Sequence, residues 1–282
     1  MYRCFRLKWW LAVLAAAAVV VSGTAAVVAA SAAVGGPKLL LPVIMYHSIY
    51  PSRTGQYVLS PADLESDLKY IKDNGFHSIT VADLLAYTKG GALPDKPIMI
   101  TFDDGHLNNL TYAVALLQKY GMKGVFSIVG SYTDKETVDN RQPSYSYMNW
   151  DEVNQIIASG NEIQCHSYDL HQHKNGRVGA DKKKSEDAAA YLAVIRADTE
   201  KFQQDMLSHT GKTATAYAYP FGACSKASEA TVTACGFGVS FSCYEILNKI
   251  SDAKSLHQLG RFNRPSGVST ESFFKKVLKN YK

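Results

Sequence analysis

Two short segments of the sequence carry side chains that can bind a metal ion. Asp103 and Asp104 follow the apolar run 97–100, and His166 and His171 come about 60 residues later. Adjacent carboxylates at the end of a buried strand are costly unless a positive charge lies near them. Two imidazoles and a carboxylate are common ligands of a catalytic zinc ion, which keeps a fourth position for water. The pattern therefore predicts a hydrolytic metal site in which one aspartate binds the metal and the other is free to act as a base on the water.

The spacing of the two histidines limits the structure that carries them. His171 lies five positions after His166, whereas side chains on one face of a helix are three or four positions apart. We therefore expect the pair at a junction between a strand and a loop. His173 is a weaker alternative for the second ligand, and His106 is expected to line the cleft.

Short apolar runs alternate with helical patterns along the rest of the chain. This alternation indicates an α/β fold with a parallel sheet and crossover helices, and the number of strands favours a distorted (β/α)7-8 barrel. The predicted strands cover 43–46, 98–102, 125–129, 162–165, 215–219, 239–242 and 259–262. The predicted helices cover 60–74, 80–90, 112–120, 151–158, 185–208 and 271–281.

Four polar side chains fall at or near the C-terminal ends of predicted strands: Asp103, His166, Tyr219 and Arg261. In a barrel these strand ends share one face, where catalytic groups collect. The placement predicts a single site. No glycine-rich phosphate-binding pattern supports a nucleotide site instead.

Composition and the N-terminus define the class of protein. The 282 residues carry a net charge of +5, which is too small to indicate nucleic-acid binding. Basic residues in the first eight positions precede an uncharged stretch over 9–34. Residues 1–36 are therefore predicted to be a signal peptide or a transmembrane anchor, and 37–282 the catalytic domain. Either alternative places the domain outside the cytoplasm, secreted or anchored in the membrane. We expect a monomer.

Five cysteines leave two interpretations open. Cys4 lies in the N-terminal segment, and Cys165, Cys224, Cys235 and Cys243 lie in the domain. In an exported protein these four can form disulfides, although the sequence does not give the pairing. They can equally be small buried apolar side chains.

The segment 101–105 (Thr-Phe-Asp-Asp-Gly) with the downstream histidines resembles the polysaccharide deacetylase family (NodB homology, carbohydrate esterase family four). The resemblance extends from about Pro42 to the C-terminus and includes 45–49, 93–97, 219–222 and 259–262. It implies the distorted barrel of that family. It also implies removal of N-acetyl groups from N-acetylglucosamine-containing surface polysaccharide, either peptidoglycan or exopolysaccharide. The five-residue histidine spacing is that of relatives acting on poly-N-acetylglucosamine.

The resemblance assigns roles to the residues of both motifs. Asp103 is the expected base, and Asp104, His166 and His171 are the expected ligands of a divalent metal. Zn²⁺ is the first choice, with Co²⁺, Ni²⁺ or Fe²⁺ as alternatives. The backbone N–H of Phe221 is expected to help hold the oxyanion.

Two features depart from the family pattern. Ala218 replaces the arginine that usually braces the base, and Arg261 is the candidate substitute. The usual late histidine, which acts as the general acid, has no clear match, so the proton donor stays open. These departures leave room for a glycan-binding protein without activity, and the same metal site also suits an O-acetyl esterase of the xylan type.

Several residues are candidate contacts for a sugar: His47, Tyr219 and Trp150, with Tyr132, Tyr145 and Tyr147 in the loop before the second motif. His47 either lines the floor of the site or caps a strand. Trp150 either stacks on a sugar or belongs to the core.

Overall fold

A curled sheet of parallel strands holds the candidate site. The computed structural model describes residues 39–281 except 53, 138 and 140, and the predicted targeting segment 1–36 lies outside this part of the chain. The strands, in chain order, are β1 (Leu39–Leu41), β2 (Val43–Tyr46), β3 (Ser48–Ile49), β4 (Val58–Leu59), β5 (His77–Ser78), β6 (Pro97–Phe102), β7 (Val125–Ile128), β8 (Glu162–Cys165), β9 (His173–Lys174), β10 (Arg177–Val178), β11 (Ala216–Ala218), β12 (Val239–Phe241), β13 (Asn248–Ile250) and β14 (Phe262–Asn263).

Helices connect most of these strands. They are α1 (Pro61–Asp73), α2 (Val81–Tyr87), α3 (Val114–Tyr120), α4 (Gly130–Lys135), α5 (Trp150–Ala158), α6 (Ala188–Thr210), α7 (Lys226–Ala234) and α8 (Thr270–Val277). A π-helical turn (Asn109–Ala113) precedes α3, and 3-10 turns cover Pro220–Gly222 and Ala253–Leu256. None of the helices in the described part of the chain is both long and apolar enough to cross a bilayer.

The main sheet closes on itself through one irregular segment. Its order is β12-β11-β8-β7-β6-β2-β14, with β5 also paired to β6, and every one of these pairs is parallel. At the β12 edge of the sheet, the Leu259 N–H donates to Ser240 O at 2.8 Å, and the Ser242 N–H donates to Leu259 O at 2.9 Å. The segment 259–263 is thus bonded to both ends of the sheet. The predicted distorted barrel is confirmed.

The alternation of side chains along β6 explains the position of the first motif. All six residues of β6 are buried, as expected for a parallel strand covered on both faces. Ile100 packs in the larger core cluster with the surrounding helices, and Met99 packs in a second cluster with residues of β2, β11 and β12. Because successive side chains alternate, Asp103 continues the row of Met99 and Thr101.

The last predicted strand differs from the structure in a way that concerns the site. The sequence predicted a continuous strand over 259–262, but Arg261 N–H donates to Tyr244 O at 2.9 Å instead of to a sheet neighbour. Pairing resumes only at Phe262, opposite Ile44. This interruption leaves Arg261 between two short stretches of pairing. The sequence analysis missed helix α7 and the short elements β1, β3, β4, β5, β9, β10, β13 and α4. The short elements have too few residues to carry a measurable periodicity.

The four described cysteines are free thiols, and Cys165 is buried. Burial raises the pKa of the Cys165 thiol well above its usual value. The sequence left open either disulfides or small buried apolar side chains, and the structure shows no disulfide among these four residues.

Candidate metal site and catalytic cleft

The turn after β6 directs two adjacent carboxylates into one cleft. Asp104 has a φ of 71° and Gly105 a φ of 80°. A Cβ at Gly105 would lie 3.1 Å from Cβ of Ile128, so both the conformation and the close approach favour glycine there. Asp104, Ser167 and Phe221 are all at the site and all have positive φ. Backbone strain of this kind persists where the surrounding structure imposes it, which is common at functional sites.

His166 follows β8 and is held in a defined tautomer. Its Nδ1 lies 2.7 Å from Ala218 O, and because a carbonyl only accepts, Nδ1 carries the hydrogen. The Nε2 lone pair therefore faces the cleft, 3.5 Å from Asp104 Oδ1. Such a hydrogen bond on the far nitrogen is how metal-binding histidines are usually oriented.

A loop carries the chain from His166 to the second histidine. Asp198 of α6 accepts the N–H groups of Tyr168 and Asp169 at 2.8 and 2.7 Å. Tyr132 donates its hydroxyl to His171 O at 2.9 Å. These contacts hold the loop at both ends, so that two histidines with non-helical spacing reach the same cleft.

The ligand atoms of Asp104, His166 and His171 lie within 4.8 Å of one another. His171 Nε2 is 3.2 Å from Asp104 Oδ1, and that oxygen is buried without a hydrogen-bond partner. Burial and the neighbouring His166 lower the pKa of His171 to about 4, so its imidazole is neutral at pH 7. Although burial raises the pKa of Asp104, His106 and His166 hold it well below its usual value. Two converging imidazoles beside an ionised carboxylate form a donor set that fits a divalent transition-metal ion.

Arg261 pairs with Asp103, as predicted from the absence of an arginine at position 218. Its Nη1 and Nη2 donate to Asp103 Oδ1 and Oδ2 at 2.7 and 2.8 Å, and its Nε donates to Ser242 O at 3.0 Å. The side chains are 0 % and 2 % exposed. Although burial raises the pKa of Asp103, Arg261 and His166 hold it below the usual value. Asp103 is thus an ionised, oriented carboxylate beside the three candidate ligands.

This buried pair gives a stability prediction. Arg261→Met leaves Asp103 charged and unpaired, and we expect the free energy of unfolding to fall by about 3–5 kcal/mol. Urea denaturation measures this change. Arg196→Met, which removes an exposed arginine paired with Glu200 on α6, is the matched control and should cost less than about 1 kcal/mol. A loss below about 1 kcal/mol for Arg261→Met would contradict the importance of the pair.

The candidate ligands and Asp103 line one cavity of about 580 Å³, together with His47 and Phe221. This volume lies in the range of about 300–1,000 Å³ that small-molecule sites occupy. His47 therefore lines the cleft, and burial lowers the pKa of its imidazole. The N–H of Phe221 makes no hydrogen bond to a described residue outside its own 3-10 turn.

The structure corrects two of the predicted sugar contacts. Tyr219 is 0 % exposed, and its ring packs edge-on against Tyr217 inside the core. Trp150 is 9 % exposed, stacks on His209 and donates its Nε1 hydrogen to Asp134. Neither side chain lines the cleft. Sequence position indicated proximity to the site, but the direction of each side chain depends on its local packing.

Other aromatic residues lie closer to the metal ligands. Tyr147 stacks on His106, with ring centres 5.1 Å apart, and Tyr132 packs against Tyr147 at 4.5 Å. His106 Nε2 is 3.4 Å from Asp104 Oδ2. Six residues of the cleft wall were not identified as site residues from the sequence: Met45, which lies in segment 45–49, and Gln56, Tyr57, Cys243, Glu245 and Asn263, which belong to no motif.

Comparison with known proteins agrees with this geometry. The polysaccharide deacetylase family matches residues 90–240, and the chain belongs to this family. The poly-beta-1,6-N-acetyl-D-glucosamine N-deacetylase of Escherichia coli (strain K12) is 22 % identical over 248 residues, which are 79 % of this chain and 37 % of that protein. The enzyme of the same name from Staphylococcus aureus (strain MSSA476) is 25 % identical over 167 residues, 59 % of this chain and 54 % of that protein. The chain thus spans about a third to a half of these relatives.

The fold also has a counterpart among solved structures. A de-N-acetylase from Aggregatibacter actinomycetemcomitans superimposes with a TM-score of 0.72 at 21 % identity, covering 84 % of this chain and 100 % of that chain. At this identity the likeness concerns the fold. It agrees with the distorted barrel described above.

Proposed function

We propose that the protein is a metal-dependent hydrolase that removes N-acetyl groups from N-acetylglucosamine-containing cell-surface polysaccharide and releases acetate. The observation that carries the proposal is the convergence of Asp104, His166 and His171 within 4.8 Å beside the buried Asp103–Arg261 pair. Family membership and the names of the relatives support the same reaction. Arg261 supplies the missing brace for Asp103, which weighs against a binding protein without activity.

The metal would be held by Asp104, His166 and His171, with Zn²⁺ as first choice. When bound there, it supplies Lewis-acid polarisation of the acetyl carbonyl and lowers the pKa of water. Asp103 takes the proton from the attacking water. Its ionised form is the one that Arg261 stabilises, so the base is ready at neutral pH.

Two further steps complete the proposed reaction. The N–H of Phe221, which has no described partner outside its own 3-10 turn, donates a hydrogen bond to the oxyanion that forms when water attacks the acetyl carbon. The leaving glucosamine nitrogen needs a proton, and we assign its delivery to Asp103, which then holds the proton taken from the attacking water. The neutral imidazole of His47 lines the same cleft and is a candidate contact for the sugar.

The place of action follows from the N-terminal sequence. The basic start and the uncharged stretch over 9–34 support export, with the domain anchored in the membrane or released. A surface polysaccharide is then the substrate that the domain meets. Cell fractionation with an antibody to the domain tests this location.

Acetate release tests the reaction and its metal dependence. We expect the purified full-length protein to release acetate from N-acetylglucosamine oligomers, to lose at least about 100-fold in activity after chelation, and to regain it with Zn²⁺. Acetylated xylan is the comparison substrate. Faster release from xylan would favour an O-acetyl esterase, and binding of the oligomers without any release would favour a glycan-binding protein.

A further inference from the structure

One acidic side chain of helix α6 lies against the loop that carries the second candidate ligand. Asp198 is 8 % exposed, and its two carboxylate oxygens accept the N–H groups of Tyr168 and Asp169 at 2.8 and 2.7 Å. The ion pairs of α6 in the described part of the chain involve Glu200 and Asp205 instead. The carboxylate of Asp198 is therefore placed to bind the loop and not a cation.

The charge of Asp198 makes these two contacts strong. Burial raises the pKa of its carboxyl to about 6, although the N–H groups of Asp169 and Tyr168 lower it. The carboxyl is thus mostly ionised at neutral pH, and a hydrogen bond to an ionised acceptor is roughly twice as strong as a neutral one. Asp198 belongs to the buried face of α6 together with Ile195 and Phe202. Its charge is costly in these surroundings unless both hydrogen bonds are present.

The loop has its other backbone contacts with helix α4. The chain turns sharply after β8, because Ser167 has a φ of 74°. The N–H groups of Gly130 and Ser131 donate to Ser167 O and Tyr168 O at 3.1 and 2.8 Å. These contacts satisfy carbonyl groups, so the N–H groups of the turn need acceptors from another element. Asp198 supplies the acceptors for two of them.

The two candidate histidine ligands are held in different ways. His166 N–H donates to Ile128 O at 2.9 Å, and its Nδ1 donates to Ala218 O at 2.7 Å, so the sheet itself fixes this residue. His171 lies beyond the turn. Its Nδ1 is 3.5 Å from the hydroxyl of Tyr132, which donates to the backbone carbonyl of His171 at 2.9 Å. The position of the His171 ring therefore depends on the path of the loop, whereas that of His166 does not.

We propose that Asp198 is a positioning residue of the metal site. By holding the turn 167–169, it keeps His171 Nε2 3.2 Å from Asp104 Oδ1 and so raises the affinity of the site for a divalent metal ion without touching the ion. This inference rests on the proposed function, because it takes His171 as a metal ligand. Contacts outside the ligand set commonly change metal affinity by about 10–100-fold.

Zinc affinity tests this role without an activity assay. Asp198→Asn keeps the shape of the side chain, but the amide offers one acceptor oxygen where the carboxylate offers two, and its NH₂ group faces the other N–H. The full-length protein and the variant are stripped of metal and titrated with Zn²⁺ in competition with a chromophoric chelator. We expect Asp198→Asn to bind Zn²⁺ at least about tenfold more weakly than the wild type. An affinity within about threefold of the wild-type value would overturn the proposal.

Two further variants of α6 separate positioning from a general loss of stability. Asp205→Asn makes the same chemical change at an acid that pairs with Lys201. Met206→Ala removes a side chain that is 1 % exposed, about two helical turns beyond Asp198, and destabilises the helix packing. We expect both variants to keep a Zn²⁺ affinity within about threefold of the wild type. A loss in Met206→Ala equal to that in Asp198→Asn would refute the positioning role, because stability alone would then explain the effect.

Hydrogen exchange of the metal-free protein is a second test, and it also applies to the wild type alone. We expect segment 167–171 to be protected in the wild type before metal binds, and to exchange at least about tenfold faster in Asp198→Asn. Unprotected exchange of this segment in the metal-free wild type would contradict the proposal, because the metal would then order the turn. A wild-type protein that binds no Zn²⁺ would refute the proposed metal site and the positioning role together. Wild-type binding with unchanged affinity in Asp198→Asn would refute the positioning role alone.

Discussion

Asp103→Asn is expected to lower the rate of acetate release by between about 100- and 10,000-fold while the metal stays bound. The amide keeps the shape of the side chain but cannot take a proton from water at neutral pH. The metal is expected to remain because Asp104, His166 and His171 are unchanged, and their ligand atoms converge without Asp103. Steady-state acetate release and metal content per chain measure the two effects.

Asp95→Asn is the matched control for this variant. Asp95 is an exposed loop residue outside the cleft, so the same chemical change should leave activity near the wild-type level. Activity of Asp103→Asn within about tenfold of wild type would refute the assignment of the base. Loss of metal together with activity would instead place Asp103 among the ligands. Because Arg261 loses its charged partner, unfolding must be measured to confirm that the variant is folded in the assay.

His166→Ala is expected to release the metal and to abolish activity. It removes one of three ligands, so the loss in metal affinity should exceed the loss of about 10–100-fold that follows removal of an outer contact to a ligand. Metal analysis after dialysis and an activity assay with added Zn²⁺ check this result. If His166→Ala retained one metal ion per chain and wild-type activity, the proposed metal site would be refuted.

His77→Ala is a suitable control for the histidine variant. His77 is exposed on β5, and its Nδ1 faces Asp95 O at 2.8 Å, away from the candidate ligands. We expect its metal content and activity to match those of the wild type. The pair of variants therefore separates loss of a ligand from a general effect of removing an imidazole.

The structure provides a replacement for one of the two residues that are missing from the family pattern, but not for the other. Ala218 replaces the usual arginine, yet its carbonyl orients His166, and Arg261 reaches Asp103 from the far end of the sheet. The pairing of Arg261 with Asp103 joins residues 158 positions apart in the chain. The missing late histidine has no such replacement at its own position, and we assign proton delivery to Asp103, which holds the proton taken from water.

The local chemistry of the site could be read from the sequence. Two carboxylates after an apolar strand and two histidines with a non-helical spacing are local patterns, and their types already restrict the chemistry to metal binding and proton transfer. The alternation of strands and helices likewise predicted the barrel, because periodicity is a local property. Helix α1 began where Ser60 and Pro61 predicted, since a cap is formed by neighbouring residues.

The walls of the cleft depended on the tertiary structure. Trp150 and Tyr219 were predicted to contact a sugar, but their side chains pack into the interior. Gln56, Glu245 and Asn263 belong to no motif, yet they line the cavity. Side-chain direction and the meeting of distant loops follow from the closure of the whole sheet through segment 259–263. Strand order and register arise from the packing of all strands together, and no single stretch of sequence encodes them. The sequence alone thus determined which chemical groups are available, and the tertiary structure decided which of them meet.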